Sequence, residues 1–250
     1  MVLTVSCQKG GVGKTTTALT IAACLARRGR RVLAVDCDPQ ATLTRQAGIE
    51  TRWLQLSLAD VLAGRVSADE ATVDSAAGVS VLPAARELAG VEMALVAELG
   101  RERFLADALA EIAGSYDEVV IDTPPNLGLL TVNALVCADA VLAPVSAEDE
   151  ASVQGLAELR STLARLERIG GESPQLAVVL TRWSAQRVLS AAIEDAVNQL
   201  GVPILARVPA RTLVGHAAAQ RTPIGMIAPD SAVTLAYESL LDQLSAGSAR

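Results

Sequence analysis

The sequence predicts an α/β protein, a doubly wound, mainly parallel sheet with helices on both faces. Three observations carry that prediction. Short apolar runs of strand length alternate with longer Ala- and Leu-rich stretches along the chain. Two of those runs, Val32-Leu33-Ala34-Val35-Asp36 and Val119-Val120-Ile121-Asp122, end in aspartate, at the strand ends where such sheets bind ligands. The run at residues 2–6 leads into a glycine-rich loop that opens a helix.

The elements follow in order. Residues 2–6 read as a buried strand and residues 16–28 as an Ala- and Leu-rich helix. Residues 31–36 form the second strand, and residues 40–47 begin a short helix. Residues 56–63 and 67–73 are weaker helical pieces. Residues 79–83 form a strand stopped by Pro83, which has no N–H to give a ladder. Residues 87–113 read as helix with a break near Gly100. Residues 116–122 and 140–144 are strands around a helix at 129–137. Ser146-Ala147-Glu148-Asp149 resembles a capping box and is expected to open a long helix ending at Ile169. A strand at 175–181, a helix at 185–200, a strand at 203–208 and helices at 212–220 and 230–244 complete the chain. Only the polar tail from Ser245 stands apart, so one domain over residues 1–250 is expected.

Composition narrows the functional classes. The chain has 250 residues, 51% of them hydrophobic, which excludes a disordered polymer. Aromatic residues are 2% of the total, so base stacking is not the expected binding mode, and Trp53 and Trp183 are read as packing residues. A net charge of −7 argues against a uniformly basic nucleic-acid binder while leaving room for a local arginine patch. Cys7, Cys24, Cys37 and Cys137 show no C-x-x-C spacing and are expected to be buried free thiols in a reducing cytoplasm. No signal peptide or membrane span is expected. His216, the only histidine, has no metal or catalytic partner in its alanine-rich run.

The loop Gln8-Lys9-Gly10-Gly11-Val12-Gly13-Lys14-Thr15-Thr16 carries the chemistry. It fits G-x-x-x-x-G-K-[ST] with Lys9 in the first-glycine position. Gly10, Gly11, Val12, Gly13, Lys14, Thr15 and Thr16 are the candidate phosphate-binding residues, because glycines let backbone N–H groups converge and the helix dipole adds positive charge. Lys14 supplies a full charge for the β- and γ-phosphates, and the Thr15 hydroxyl is placed to ligate Mg²⁺. Lys9 and Lys14 are the only lysines among 21 basic residues, so both compact ammonium groups lie in this loop. Asp122 has the form of a Walker B acid and is a second candidate Mg²⁺ residue. Asp36-Cys37-Asp38-Pro39-Gln40 is a further acidic turn, and Thr123-Pro124-Pro125-Asn126 a stiff segment suited to sensing a γ-phosphate.

These residues resemble the ParA/MinD family of deviant Walker A ATPases. Lys9 to Thr16 matches its phosphate loop, with Lys9 as the additional signature lysine. Asp36 to Gln40 is similar to its DxDPQ segment, and Asp122-Thr123-Pro124-Pro125-Asn126-Leu127-Gly128-Leu129-Leu130-Thr131 to its switch. Glu98-Leu99-Gly100-Arg101-Glu102-Arg103 and Asn133-Ala134-Leu135 also follow the pattern. The likeness runs from about residue 3 to 224, nearest the ParA/Soj partitioning branch and looser in the last third.

The resemblance implies a P-loop NTPase fold, ATP and Mg²⁺ as cofactors, and slow, partner-stimulated hydrolysis. Three catalytic roles are implied: Lys14 binds phosphate in its own subunit, Lys9 reaches across an ATP-dependent sandwich homodimer, and Asp38 activates the attacking water. It further implies a cytoplasmic, nucleoid-associated protein that binds DNA non-specifically, with a ParB-like centromere-binding partner. Where the family often shows P-R-N-V-R, this chain has Pro209-Ala210-Arg211-Thr212-Leu213-Val214. Arg182, Arg187, Arg211 and Arg221 are the candidate DNA contacts. A cargo-positioning ATPase of the same family is an alternative. A MinD-like membrane cycle is disfavoured because residues 230–244 carry a leucine stripe (Leu235, Leu240, Leu241, Leu244) without Lys or Arg. A cluster-bearing redox carrier would need paired cysteines that the spacing does not offer. No helix-turn-helix segment precedes the loop, so operator-specific repression is not expected.

Overall fold

The structure, a computed structural model, describes residues 1–168 and 174–247. Its strands are β1 (Val2–Val5), β2 (Val32–Asp36), β3 (Val73–Asp74), β4 (Ser80–Leu82), β5 (Glu118–Asp122), β6 (Ala140–Ser146), β7 (Gln175–Trp183) and β8 (Ile204–Pro209). They form one sheet in the order β3-β4-β2-β5-β1-β6-β7-β8, parallel except for the β3–β4 pair. The helices are α1 (Lys14–Arg27), α2 (Thr42–Gln46), α3 (Leu58–Leu62), α4 (Ala68–Ala71), α5 (Leu88–Leu95), α6 (Phe104–Ala110), α7 (Leu129–Val136), α8 (Ala151–Arg168), α9 (Val188–Gln199), α10 (Thr212–Ala219), α11 (Ile224–Ile227) and α12 (Ala232–Gly247).

The apolar strands are continuous because both faces are covered. Successive side chains of a strand point to opposite faces. On β6, Ala140 and Leu142 join a core shared with α1 and α12, while Val141, Ala143 and Val145 join one shared with α8 and α9. On β2, Leu33 and Val35 enter a third core, with α3, α5, α6 and α7. The chain passes from β1 to β2 on one side and from β5 back across β1 to β6 on the other. The strand order therefore reverses at β1, and a crevice opens beyond its carboxyl end.

α12 is locked onto this centre. The Tyr237 hydroxyl is 2.8 Å from Thr17 Oγ1 on α1, and both residues are buried.

Several sequence expectations are corrected. Residues 67–73 split into α4, opened by a capping box at Ser67 and Glu70, and the antiparallel edge strand β3, because the backbone turns extended at Thr72 and Val73 pairs with Val81 of β4. The expected break near Gly100 in residues 87–113 is present, with Gly100 at φ 68°, and it separates α5 from a 3₁₀ turn at Arg101–Arg103 and α6. Buried Asn133 stitches this break to α7. Its amide donates to Arg101 O at 2.8 Å and its Oδ1 accepts from Leu105 N at 3.0 Å.

Ser146 does not cap α8. It belongs to β6, and Asp149 Oδ1 accepts from Ala151 N at 3.0 Å instead. The expected end at Ile169 lies outside the described residues. Trp53 is 71% exposed rather than packed, on a surface 3₁₀ turn with the Arg52 guanidinium 5.1 Å above its ring. Leu235 is 53% exposed, whereas Leu240 and Leu241 of the same stripe are buried. α11 was not anticipated in the sequence, being a single turn after Pro223. Residues 245–247 belong to α12 and not to a separate tail, and residues 248–250 lie outside the described residues.

Candidate functional site

β1 carries the chain to the crevice, and three neighbours fix the loop that follows. Ser6 N donates to Leu142 O at 3.1 Å, ending the strand register. Thr181 Oγ1 on β7 donates to Val12 O at 2.8 Å. α8 presses on the loop's start, where a Cβ on Gly155 would lie 3.3 Å from Cys7 Sγ and 3.5 Å from the Gln8 carbonyl carbon. Gly13, immediately before α1, has φ 97°, a conformation that costs other residues ~1–2 kcal/mol. Among the described residues, the N–H groups of residues 10–13 donate to no protein acceptor. The loop is thus a held concavity of unpaired donors at a helix N-terminus, the arrangement that binds phosphate.

The two lysines of the loop are held differently. Lys14 is buried, and its Nζ donates to Lys9 O at 3.0 Å. Burial lowers the pKa of this ammonium, and the neighbouring Asp122 carboxylate opposes the shift. Lys9 is half-exposed, with Nζ 3.3 Å from Asp149 Oδ2 at the start of α8.

The strand-end aspartates behave differently from one another. Asp36 is fully buried and fully used: Oδ2 accepts from Thr44 N at 2.9 Å and Thr44 Oγ1 at 2.7 Å, and Oδ1 accepts from Asp38 N at 3.1 Å. Burial raises its pKa to about 6, with the Thr44 hydrogen bonds working against the rise. Asp38 lies at the partly exposed lip, its Oδ1 accepting from Gln40 N at 2.9 Å.

Asp122 pairs in register with Val5 on one side and Asp36 on the other, and it is buried with neither carboxylate oxygen hydrogen-bonded. Burial, then the Asp36 charge, push its pKa well above the usual carboxylate range, while Thr15 and Lys14 beside it pull downward. A buried carboxylate without a partner is costly unless it faces a cation. The Thr15 hydroxyl next to it adds an oxygen donor, and no cluster of three His, Cys, Asp or Glu side chains occurs among the described residues. Two hard oxygen donors beside a phosphate cradle fit Mg²⁺, which keeps waters and phosphate oxygens as its other ligands.

A consequence follows for stability. Asp122→Asn relieves the repulsion with Asp36 and is expected to raise the stability of the nucleotide-free protein by about 1 kcal/mol. Urea unfolding measures this, and a lower midpoint would show that Asp122 serves the fold itself.

The segment after Asp122 is tied down from two sides. Thr123 Oγ1 donates to Val5 O at 3.0 Å, and Leu130 N donates to Glu92 Oε1 on α5 at 3.2 Å. Pro125 Cβ lies 4.0 Å from where a Cβ on Gly10 would sit, so this segment borders the loop.

A cavity of about 410 Å³ lies beside Gly13 and Thr16, walled by Thr181, Pro209, Ala210 and Tyr237. Arg182 and Arg211, two of the arginines singled out in the sequence, line it and are exposed. The other two do not line it: Arg187 pairs with Glu148 on its wall, and Arg221 pairs with Glu50. His216 is exposed on α10. The Trp183 indole donates to Glu194 Oε2 at 3.0 Å. The cysteines are free thiols, Cys7, Cys24 and Cys37 buried and Cys137 partly so. Sequence reasoning missed the cavity. Tyr237 reaches it from the far end of the chain, and nothing local marks it. Pro209 and Arg211 were visible but carried no sign of facing the loop.

Comparison with known proteins agrees with this fold. A family model described as an AAA domain matches residues 1–177. The chain is 42% identical over 195 residues to the chromosome partitioning protein ParA of Caulobacter vibrioides, covering 76% of this chain and 72% of that protein. It is 40% identical over 168 residues to the sporulation initiation inhibitor protein Soj of Bacillus subtilis, covering 67% and 66%. Among solved structures, cobyrinic acid a,c-diamide synthase from Mycobacterium smegmatis with bound ATP analog and magnesium superposes with a TM-score of 0.87. It is 35% identical, with 97% of this chain and 93% of that chain covered.

Proposed function

The chain belongs to the ParA/MinD family of deviant Walker A ATPases, and from that premise we propose that it hydrolyses ATP to drive chromosome or plasmid partition. The observation that supports this most is the meeting of an unpaired N–H concavity, a buried lysine and an unpartnered carboxylate at one strand edge. The ATP phosphates would lie on residues 10–16, with the base in the cavity beside Gly13. Thr15 and Asp122 would hold Mg²⁺, which when bound neutralises phosphate charge.

The remaining chemistry belongs to the chain's own residues. Lys14 sets the β- and γ-phosphates. Asp38, at the partly exposed lip, takes the proton of a water attacking the γ-phosphorus, and the bond to the β-phosphate oxygen breaks to leave ADP and phosphate. Lys9 exchanges Asp149 for the phosphates of a second subunit. An exposed ion pair of this kind is worth ~1 kcal/mol or less, so Asp149 offers a weak resting place and not a lock. The ATP-held homodimer would bind DNA non-specifically, work in the cytoplasm on the nucleoid, and be stimulated by a ParB-like partner.

A membrane cycle has less support. Tyr237, Leu240 and Leu241 of α12 are buried against the sheet and α1, so this face is not free for a bilayer. No helix among the described residues is long and apolar enough to cross a membrane.

The test is a gel shift of a non-specific duplex with no nucleotide, with ADP and with ATP–Mg²⁺, at two salt concentrations. Binding confined to ATP and weakened by salt is the expected result. No binding in any state, despite ATP-driven dimerisation, would overturn the DNA-based reading and turn attention to a protein cargo.

A further inference from the structure

A larger cavity, about 770 Å³, is walled on one side by Pro39, Gln40 and Ala41 of the Asp38 loop and shares no lining residue with the one beside Gly13. Arg45, Arg52, Arg65 and Arg86 reach it from four separate segments. Their charges are not fully balanced. Arg45 donates only to neutral oxygens, Gln40 O at 2.5 Å and Thr42 Oγ1 at 3.4 Å. Arg52 shares its single acid, Glu50, with Arg221. Arg65 is matched by Asp60 at 2.7 Å and Arg86 by the adjacent Glu87 at 3.1 Å. Asp60 and Glu87 line the cavity as well, so among the described residues the excess of positive charge rests on Arg45 and Arg52, in a chain whose net charge is −7.

Shape and charge together select the ligand class. The volume lies within the ~300–1,000 Å³ of small-molecule sites. A duplex backbone meets a protein along a stripe, not inside such a concavity. Guanidinium forks pair bidentately with phosphoryl oxygens, and a phosphoryl group brings nearly twice the charge of a carboxylate into the same space. We propose that this cavity binds a small phosphorylated molecule bearing a diphosphate or triphosphate, and that its occupancy is transmitted to Asp38.

The route is short. Arg45 holds Gln40 O, Gln40 N donates to Asp38 Oδ1, and Ala41 N donates to Asp38 O at 2.7 Å. Ala41 closes this turn at φ 50°, a left-handed conformation that a non-glycine residue keeps only when its surroundings hold it there. A ligand that draws the Arg45 guanidinium away from Gln40 O loosens the turn that sets Asp38. That regulatory consequence rests on the ATPase reading, whereas the binding site does not.

The test uses the full chain carrying Lys14→Ala, without Mg²⁺, so that the phosphate loop does not compete, with circular dichroism to check folding. Calorimetric titration with inorganic pyrophosphate is expected to show one site per chain. Adding Arg45→Ala and Arg52→Ala should weaken it at least tenfold, and amide exchange over residues 38–41 should change severalfold on binding. Equal binding with and without the arginines, or no binding at all, overturns the site. Unchanged exchange overturns the transmission. Capture of a tetra-aspartate peptide but not pyrophosphate overturns the phosphoryl assignment. ADP–Mg²⁺ titration of the wild-type chain, run in parallel, judges the ATPase reading independently.

Discussion

Lys14→Ala is expected to abolish nucleotide binding at millimolar ADP or ATP, a loss of roughly a hundredfold to a thousandfold in affinity. The ammonium is buried at the mouth of α1 and held on Lys9 O at 3.0 Å, so it is oriented before any ligand arrives. A charge-assisted hydrogen bond contributes ~1.5–3 kcal/mol, and this ammonium would serve two phosphates. Its loss also removes from Asp122 the cation that now lowers its pKa, leaving two aspartates facing one another across β2 and β5 without a nearby positive charge. Lys14→Arg is not expected to rescue binding, because a planar fork does not occupy the place of a compact ammonium. Titration with a fluorescent ADP analogue, alongside circular dichroism, provides the measurement. Affinity within a few-fold of wild type would remove Lys14 from the phosphate site.

Asp38→Ala should separate binding from turnover. Asp38 lies outside the loop that forms the cradle and keeps only one carboxylate oxygen engaged, by Gln40 N at 2.9 Å. ATP affinity is therefore expected to stay within a few-fold of wild type, while phosphate release falls by ~10²–10⁴ for loss of a positioned base. In the proposed cycle hydrolysis ends the ATP-held state, so a dimer is expected to accumulate on ATP–Mg²⁺ and persist in size-exclusion chromatography with light scattering. The alanine also removes the local turn contact, worth ~1 kcal/mol, so Asp38→Asn is the necessary companion. It retains an acceptor for Gln40 N, cannot take a proton, and should show the same loss of rate. Normal turnover in either variant would end the assignment, and normal turnover in the asparagine variant alone would make Asp38 a structural residue of the turn.

Glu92 marks a relation between motifs that reading them separately does not reveal. Its Oε1 accepts from Leu130 N at 3.2 Å, and a side chain on Gly128 would collide with it at 2.5 Å. Asn133 likewise joins the Glu98–Arg103 stretch to α7 through Arg101 O. Both contacts fix α7, into which the segment after Asp122 runs, against α5 and the turn at Arg101–Arg103. Movement of that segment therefore has to break identifiable hydrogen bonds and is not a loop drifting freely.

What was legible in the sequence is what depends on neighbours along the chain. A strand, three glycines, a lysine and a helix start are contiguous, so β1, the loop and α1 could be placed from residues 2–28 alone. Asp122 could be placed because an apolar run that ends in an acid puts that acid at a sheet edge. The boundaries that failed were decided by closely balanced local signals, as where Ser146 and Asp149 both suit a helix start and only the length of the β6–β7 ladder extends the strand through Ser146. Asp36 and Asp38, two positions apart, could not be assigned different roles by type or spacing. Thr44 and burial claim the first and leave the second at the lip. The arginines were equally opaque, since pairing with Glu148 or Glu50, or facing a cavity, depends on residues many positions away. The sequence by itself determined the glycine-rich loop at the start of α1, the sheet and the family. Only the tertiary structure decided which carboxylate is left without partners and where the cavities lie. An apolar pattern specifies that a strand is buried, whereas a cavity is the space left between elements brought together from opposite ends of the chain.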